Sequence, residues 1–195
     1  MIRRLAKPNA LKILAHVVAA LPLALMLKDT LSDTLGADPI RTLTLRTGWW
    51  ALSFLLLSLA MTPLRKLTGQ AGWMHYRRML GLWAFACVCC HLSIYLVLDL
   101  QGRWTQIFTD IVKRPYITVG FTAWLLLIPL ALTSTQAMMR KLGRRWRQLH
   151  RLVYLIAPLG VLHFLWLVKN DVTEPLIFAA VLALLLAMRL IKRRA

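Results

Sequence analysis

RRMLGLWAFACVCCH, residues 77–91, decides the fold: two arginines, twelve positions without a charge, then a histidine. HRLVYLIAPLGVLH, residues 150–163, has the same grammar, with Arg151 followed by an uncharged run that ends on a histidine. His91 lies 13 residues beyond Arg78, and His163 lies 12 beyond Arg151. At the helical rise both imidazoles sit roughly 18–20 Å from the charged boundary of their span. An ionisable side chain at that depth in a bilayer is costly and marks a functional site by default. Two at one depth on separate spans are placed to clamp one metal centre from opposite sides. The competing reading is a pair of histidines hydrogen-bonded to neighbouring helices.

Working outward, apolar runs at 11–27, 49–64, 79–98, 116–132, 152–168 and 175–191 read as six membrane helices. The expected fold is an all-α integral membrane protein, a six-helix transmembrane bundle forming a single domain over 1–195. No internal repeat or low-complexity stretch stands out. Pro22, Pro129 and Pro158 fall inside spans, where a missing N–H favours a kink. The first run resembles a signal peptide, but no small-residue cleavage site follows it cleanly, so it reads as a retained anchor.

The charge is lopsided: 25 Lys+Arg against 7 Asp+Glu, a net +18. In isolation that suggests nucleic acid, but the basic residues flank apolar runs. Segments 1–12, 65–78, 140–151 and 189–194 hold 18 basic residues and no acid, while all seven acids fall on the alternate connections. The positive-inside rule therefore places both termini in the cytoplasm, with basic clusters contacting membrane lipid and no nucleic acid.

Neutral imidazole is a good iron ligand, and a b-type haem between His91 and His163 is the natural candidate. His150 stands at the inner mouth of span five, 13 residues before His163 and about 140° away around an ideal helix. His75 is a poor ligand candidate, and His16 reads as packing or a quinone contact. Cys87-Val88-Cys89-Cys90-His91 contains a formal c-type haem attachment pattern. Buried in mid-membrane it reads instead as small apolar filling.

Five segments carry a resemblance: LGADPIRTLTLRTGWW, SLAMTPLR, RRMLGLWAFACVCCH, KRPYITVGFTAW and TSTQAMMRKLGRRWRQLHRLVYL. With them the chain resembles the MsrQ (YedZ) family, within the ferric reductase-like transmembrane proteins shared with NADPH oxidases. The resemblance implies haem b and FMN as cofactors. It implies a periplasmic MsrP-like molybdenum reductase as partner, for repair of oxidised methionines, and a donor that is the quinone pool or a cytoplasmic flavin reductase. It also implies that His91 and His163 are the outer haem ligands and that His150 matches an inner ligand. Dihaem relatives carry a second histidine where this chain has Arg77. Arg77 and Arg78, with Trp146 and Arg147 beside His150, would then hold a haem propionate or a flavin phosphate. The chain ends just past span six, without the flavin and NADPH domain of the oxidases, so a separate donor is expected.

The expected role is a one-electron relay in the bacterial inner membrane, an electron-transfer subunit rather than the catalytic subunit. Connections 28–46 and 99–114 are its expected docking surface. Two other classes stand beside it. A stand-alone haem-containing ferric or quinone reductase would act without a partner. A non-redox transporter subunit or scaffold would bind no haem, and the inverted repeats and charges within spans typical of transporters are not seen.

Overall fold

The computed structural model describes residues 10–190, and its regular structure is helical throughout. Arg3, Arg4, Lys7, Lys192, Arg193 and Arg194, which belong to the charge pattern above, lie outside the described residues. Helix α1 spans Ala10–Leu31, α2 Pro39–Thr68 and α3 Met74–Ser93. A 3-10 turn, Ala71–Trp73, precedes α3, and a π-helical segment, Ile94–Asp99, continues it. Then come α4 Trp104–Lys113, α5 Pro115–Leu132, α6 Gln136–Leu142 and α7 Arg144–Leu149. A 3-10 turn, His150–Leu152, leads into α8 Val153–Leu167, and α9 is Thr173–Leu190.

Five helical stretches are long and apolar enough to cross a membrane: Ala10–Leu31, Pro39–Thr68, Ala71–Asp99, Pro115–Leu132 and Arg144–Leu167. The sixth expected run, 175–191, coincides with α9 up to the last described residue. The chain is thus a multi-pass, all-α membrane protein. Its outer surface inverts the soluble pattern, with Leu11, Val17, Leu57, Leu125, Leu155 and Leu184 exposed. In hydrocarbon such side chains lose nothing, while the helices satisfy their own backbone groups.

Helix α2 starts ten residues before the expected 49–64. Asp38 caps it by accepting the Arg41 N–H at 3.0 Å, and Pro39 fills its first turn. Its early turns are polar enough to look like a loop, yet each polar group is accommodated. Thr44 and Thr47 donate to the carbonyls of Ile40 and Leu43, and Arg46 pairs with Asp29 at 2.7 Å. Connection 28–46 therefore shrinks to residues 32–38, and 99–114 is largely helix α4.

Helix α2 is the axis of the bundle: over half of its apolar window is buried, against under a quarter for every other span. It packs along α3, and α5 packs along α8, so the core is two antiparallel hairpins set side by side. Leu59, Ala84, Cys87, Ile156 and Ala157 fill the seam with almost no exposure. Helix α1 packs lightly against α2 and α3. Helix α9 is pinned by Arg189, whose guanidinium bonds the Tyr154 hydroxyl and the Leu59 carbonyl and lies over the Tyr154 ring.

Candidate functional site

Between the hairpins lies a mainly apolar cavity of about 280 Å³, walled by residues such as Leu52, Ala84, Val88, Phe121 and Leu127. His91 of α3 and His163 of α8 both line it. Their ring centres are 6.1 Å apart and the ring planes stand at 88°. A metal–imidazole nitrogen bond runs about 2 Å, so two rings that share one ion have centres about 6 Å apart.

The other edge of each ring is occupied. His91 Nδ1 lies 2.9 Å from the Thr44 carbonyl of α2, and His163 Nδ1 lies 2.7 Å from the Tyr116 carbonyl of α5. A carbonyl only accepts, so Nδ1 carries the proton on both rings. Nε2 is left as the basic nitrogen, with no hydrogen bond to any described residue. An N–H donated to a backbone carbonyl is the usual way a protein orients a metal-ligating histidine and raises its basicity.

Beside the cavity, at Tyr95, Arg114 and Tyr116 of its lining, lies a polar latch that sequence reasoning missed. The Tyr95 hydroxyl donates to Asp110 Oδ2 at 2.8 Å, Asp110 pairs with Arg114 at 3.2 Å, and Arg114 Nη1 donates to the Tyr116 hydroxyl at 3.4 Å. Asp110 is buried although it sits on the short helix α4. The Tyr116 hydroxyl, and then Asp110, push the Arg114 pKa up, so its guanidinium stays charged at the cavity rim. The one sequence sign was the Asp110–Arg114 spacing of an i,i+4 pair. On the wall, Trp124 Nε1 is buried without an acceptor among the described residues.

The other expected site residues gather at the opposite end of the bundle. The His150 ring stacks on Trp146 with centres 3.9 Å apart, and its Nδ1 bonds the Trp146 carbonyl. Its Nε2 is buried without a hydrogen-bond partner among the described residues. Arg77 reaches Thr62 Oγ1 at 3.4 Å and is close enough to act on His150 electrostatically. Arg78 and Arg147 are exposed. The 3-10 turn His150–Leu152 winds more tightly than the ideal helix behind the expected 140° phase between His150 and His163. His75 is exposed and bonds the Gly72 carbonyl, while His16 accepts from Trp83 Nε1 at 3.2 Å. Cys87 is sealed in the core, and neither it nor Cys90 lines the cavity.

Fold and site together define a multi-helix membrane protein that presents two facing imidazoles in an apolar cavity between hairpins. The family description "Ferric reductase like transmembrane component" matches residues 47–161. Three relatives bear the name "Protein-methionine-sulfoxide reductase heme-binding subunit MsrQ". That of Xanthomonas euvesicatoria pv. vesicatoria (strain 85-10) is 56% identical over 94% of this chain and 87% of its own length. That of Xanthomonas campestris pv. campestris (strain 8004) is 57% identical over the same shares. That of Rhodospirillum rubrum is 52% identical over 92% of this chain and 87% of its own length. The chain belongs to the MsrQ family of ferric reductase-like transmembrane proteins. No solved structure matches it.

Proposed function

We propose that this protein is the haem b-carrying membrane subunit of a protein-methionine-sulfoxide reductase system. It relays electrons from the quinone pool or a cytoplasmic flavin reductase to a periplasmic MsrP-like reductase. The observation that carries this reading is the facing pair His91 and His163, each with Nδ1 tied to a helix carbonyl and Nε2 free. Among the described residues no three His, Cys, Asp or Glu side chains converge to hold a metal. A metal held by these two imidazoles would therefore need further donors from its own carrier group, and a tetrapyrrole would supply them.

Bound haem supplies one-electron chemistry. The chain supplies the rest. His91 and His163 would hold the haem iron through Nε2, and the Thr44 and Tyr116 carbonyls hold the rings in place. The apolar walls exclude water, and Arg114 at the rim offers charge to the cofactor's carboxylates. Cys87 and Cys90 do not line the cavity, which supports non-covalent haem.

Six spans with both termini in the cytoplasm of a bacterial inner membrane agree with the charge pattern. Arg65, Lys66, Arg77, Arg140 and Arg151 flank the His150 end, and Asp38, Asp99, Asp110 and Asp171 flank the other. Electrons then come in at His150, with Arg77 and Trp146 receiving the donor. FMN is one such donor by resemblance, its phosphate meeting Arg77, with Arg78 and Arg147 at the exposed surface.

The test is reconstitution in vesicles with quinol inside and the periplasmic reductase outside. Sulfoxide reduction in a protein substrate should require both proteins, and reduction that persists without this chain would refute the relay. His150→Ala should slow haem reduction by the inside donor at least severalfold while the pyridine haemochrome yield stays at the unmutated level. Loss of the haem itself would show that His150 belongs to the site between the hairpins.

A further inference from the structure

The two histidine seats are copies of one another. His91 bonds a carbonyl 47 residues earlier, and so does His163. Thr44, Gly48 and His91 recur as Tyr116, Gly120 and His163 at one constant offset of 72 residues. In each seat a glycine stands four residues after the carbonyl that accepts the bond. A helix carbonyl at i is already bonded to the N–H of i+4, so a side chain at i+4 begins beside it. The carbonyl's second lone pair is open to a foreign donor only where that side chain leaves room.

The distances show how little room there is. A Cβ on Gly120 would lie 2.6 Å from His163 Nδ1 and 2.8 Å from Cε1, closer than real Cβ atoms come. A Cβ on Gly48 would lie 3.2 Å from both Nδ1 and Cε1 of His91. Neither histidine can hold its bond unchanged against a methyl at that position. The glycines elsewhere in the spans differ. At Gly160 the nearest atom is the end of the Leu52 side chain at 3.3 Å, and at Gly81 the Ser58 hydroxyl is at an ordinary 3.6 Å. Glycine is a poor helix former in a helix interior, and small residues in membrane helices usually serve helix–helix approach. At these two positions it is an imidazole that approaches.

We propose that Gly48 and Gly120 are positioning residues: by leaving the Thr44 and Tyr116 carbonyls open they set the Nδ1–H tautomer and ring orientation of His91 and His163, so that Nε2 faces the cavity as the metal-binding nitrogen. The haem consequences rest on the function proposed above, whereas the tautomer assignment does not.

The experiment uses the full chain labelled with 15N-histidine, first without haem, then loaded. Solid-state nitrogen spectra of the haem-free protein should show Nδ1 protonated on both rings. Gly120→Ala should lose that single tautomer at His163, bind haem about 10–100-fold more weakly, and raise the reduction potential, because a ligand without its carbonyl partner is less basic. Gly48→Ala should move all three readouts the same way by less, and Gly81→Ala should move none. An Nε2-protonated tautomer in the unmutated protein overturns the proposal with no variant needed. So does a folded Gly120→Ala or Gly48→Ala with unchanged tautomer, affinity and potential. If Gly120→Ala does not fold, the unmutated spectra and Gly48→Ala still decide. Should His91→Ala and His163→Ala keep their haem while the tautomers are as stated, the functional reading fails and the seats stand.

Discussion

His91→Ala and His163→Ala each abolish the b-type spectrum, with haem affinity expected to fall by more than about 100-fold, the upper end of what losing a ligand's hydrogen-bond partner costs. Each variant should still reach the membrane. The deleted imidazole is a donor to a helix carbonyl that keeps its own helical bond, so Thr44 and Tyr116 are not left with orphaned groups. The apolar walls that surround the rings are unchanged. Free imidazole in the buffer should restore part of the spectrum, since the truncated side chain leaves a space of its own size against the cavity. His75→Ala and His16→Ala are the controls, because neither residue lines the cavity, and both should keep full haem. Absorption spectra of oxidised and dithionite-reduced protein, with a pyridine haemochrome assay, read all four variants. Full haem in either of the first two means the ligand assignment is wrong.

Asp110→Ala is the second large effect, and it falls on stability. The carboxylate is buried, holds Arg114 and accepts from Tyr95, so its removal strands a half-buried tyrosine hydroxyl and unpairs a guanidinium. Breaking a fully buried pair costs about 3–5 kcal/mol. Arg114 is half-exposed and recovers water, so about 2–3 kcal/mol is expected here. For a chain of this size that lowers the thermal midpoint in detergent by about 5–10 °C. Asp110→Asn keeps a partner for Tyr95 and should cost less. Tyr95→Phe removes one hydrogen bond, about 1 kcal/mol. A midpoint for Asp110→Ala within a degree of the unmutated protein would mean the latch does not hold α4 in place.

The facing histidines were legible because depth is a count of residues from a charged boundary, and that count survives folding of any straight span. The boundaries of α5 were legible for a similar reason: Pro115 starts it, and Thr133 with the turn after it ends the apolar run. The first ten residues of α2 were not. Thr44 and Thr47 bond carbonyls of their own helix, Thr42 bonds the Leu35 carbonyl of the preceding turn and Arg46 meets Asp29, and a hydropathy window scores all four as loop. Helix α4 escaped because it is short, and because its buried face includes a carboxylate held by Tyr95 of the preceding π-helical segment and by Arg114 at the helix's own C-cap. The phase of His150 depended on a 3-10 turn, and nothing in His-Arg-Leu announces one. The Thr44 and Tyr116 carbonyls carry no side-chain signature. Their trace is the constant offset between the two seats, faint because most residues at that offset differ.

Each seat is complete within a single hairpin. Thr44, Gly48 and His91 all belong to α2 and α3, and Tyr116, Gly120 and His163 all belong to α5 and α8. A chain made from its N-terminus can therefore set the first imidazole before the second hairpin has left the ribosome. Assembly then becomes a docking of two prearranged halves, and haem held as proposed by His91 and His163 would span the join. Such a cofactor would act late in biogenesis, as a clasp added across a seam that already packs through Leu59, Ala84 and Ile156.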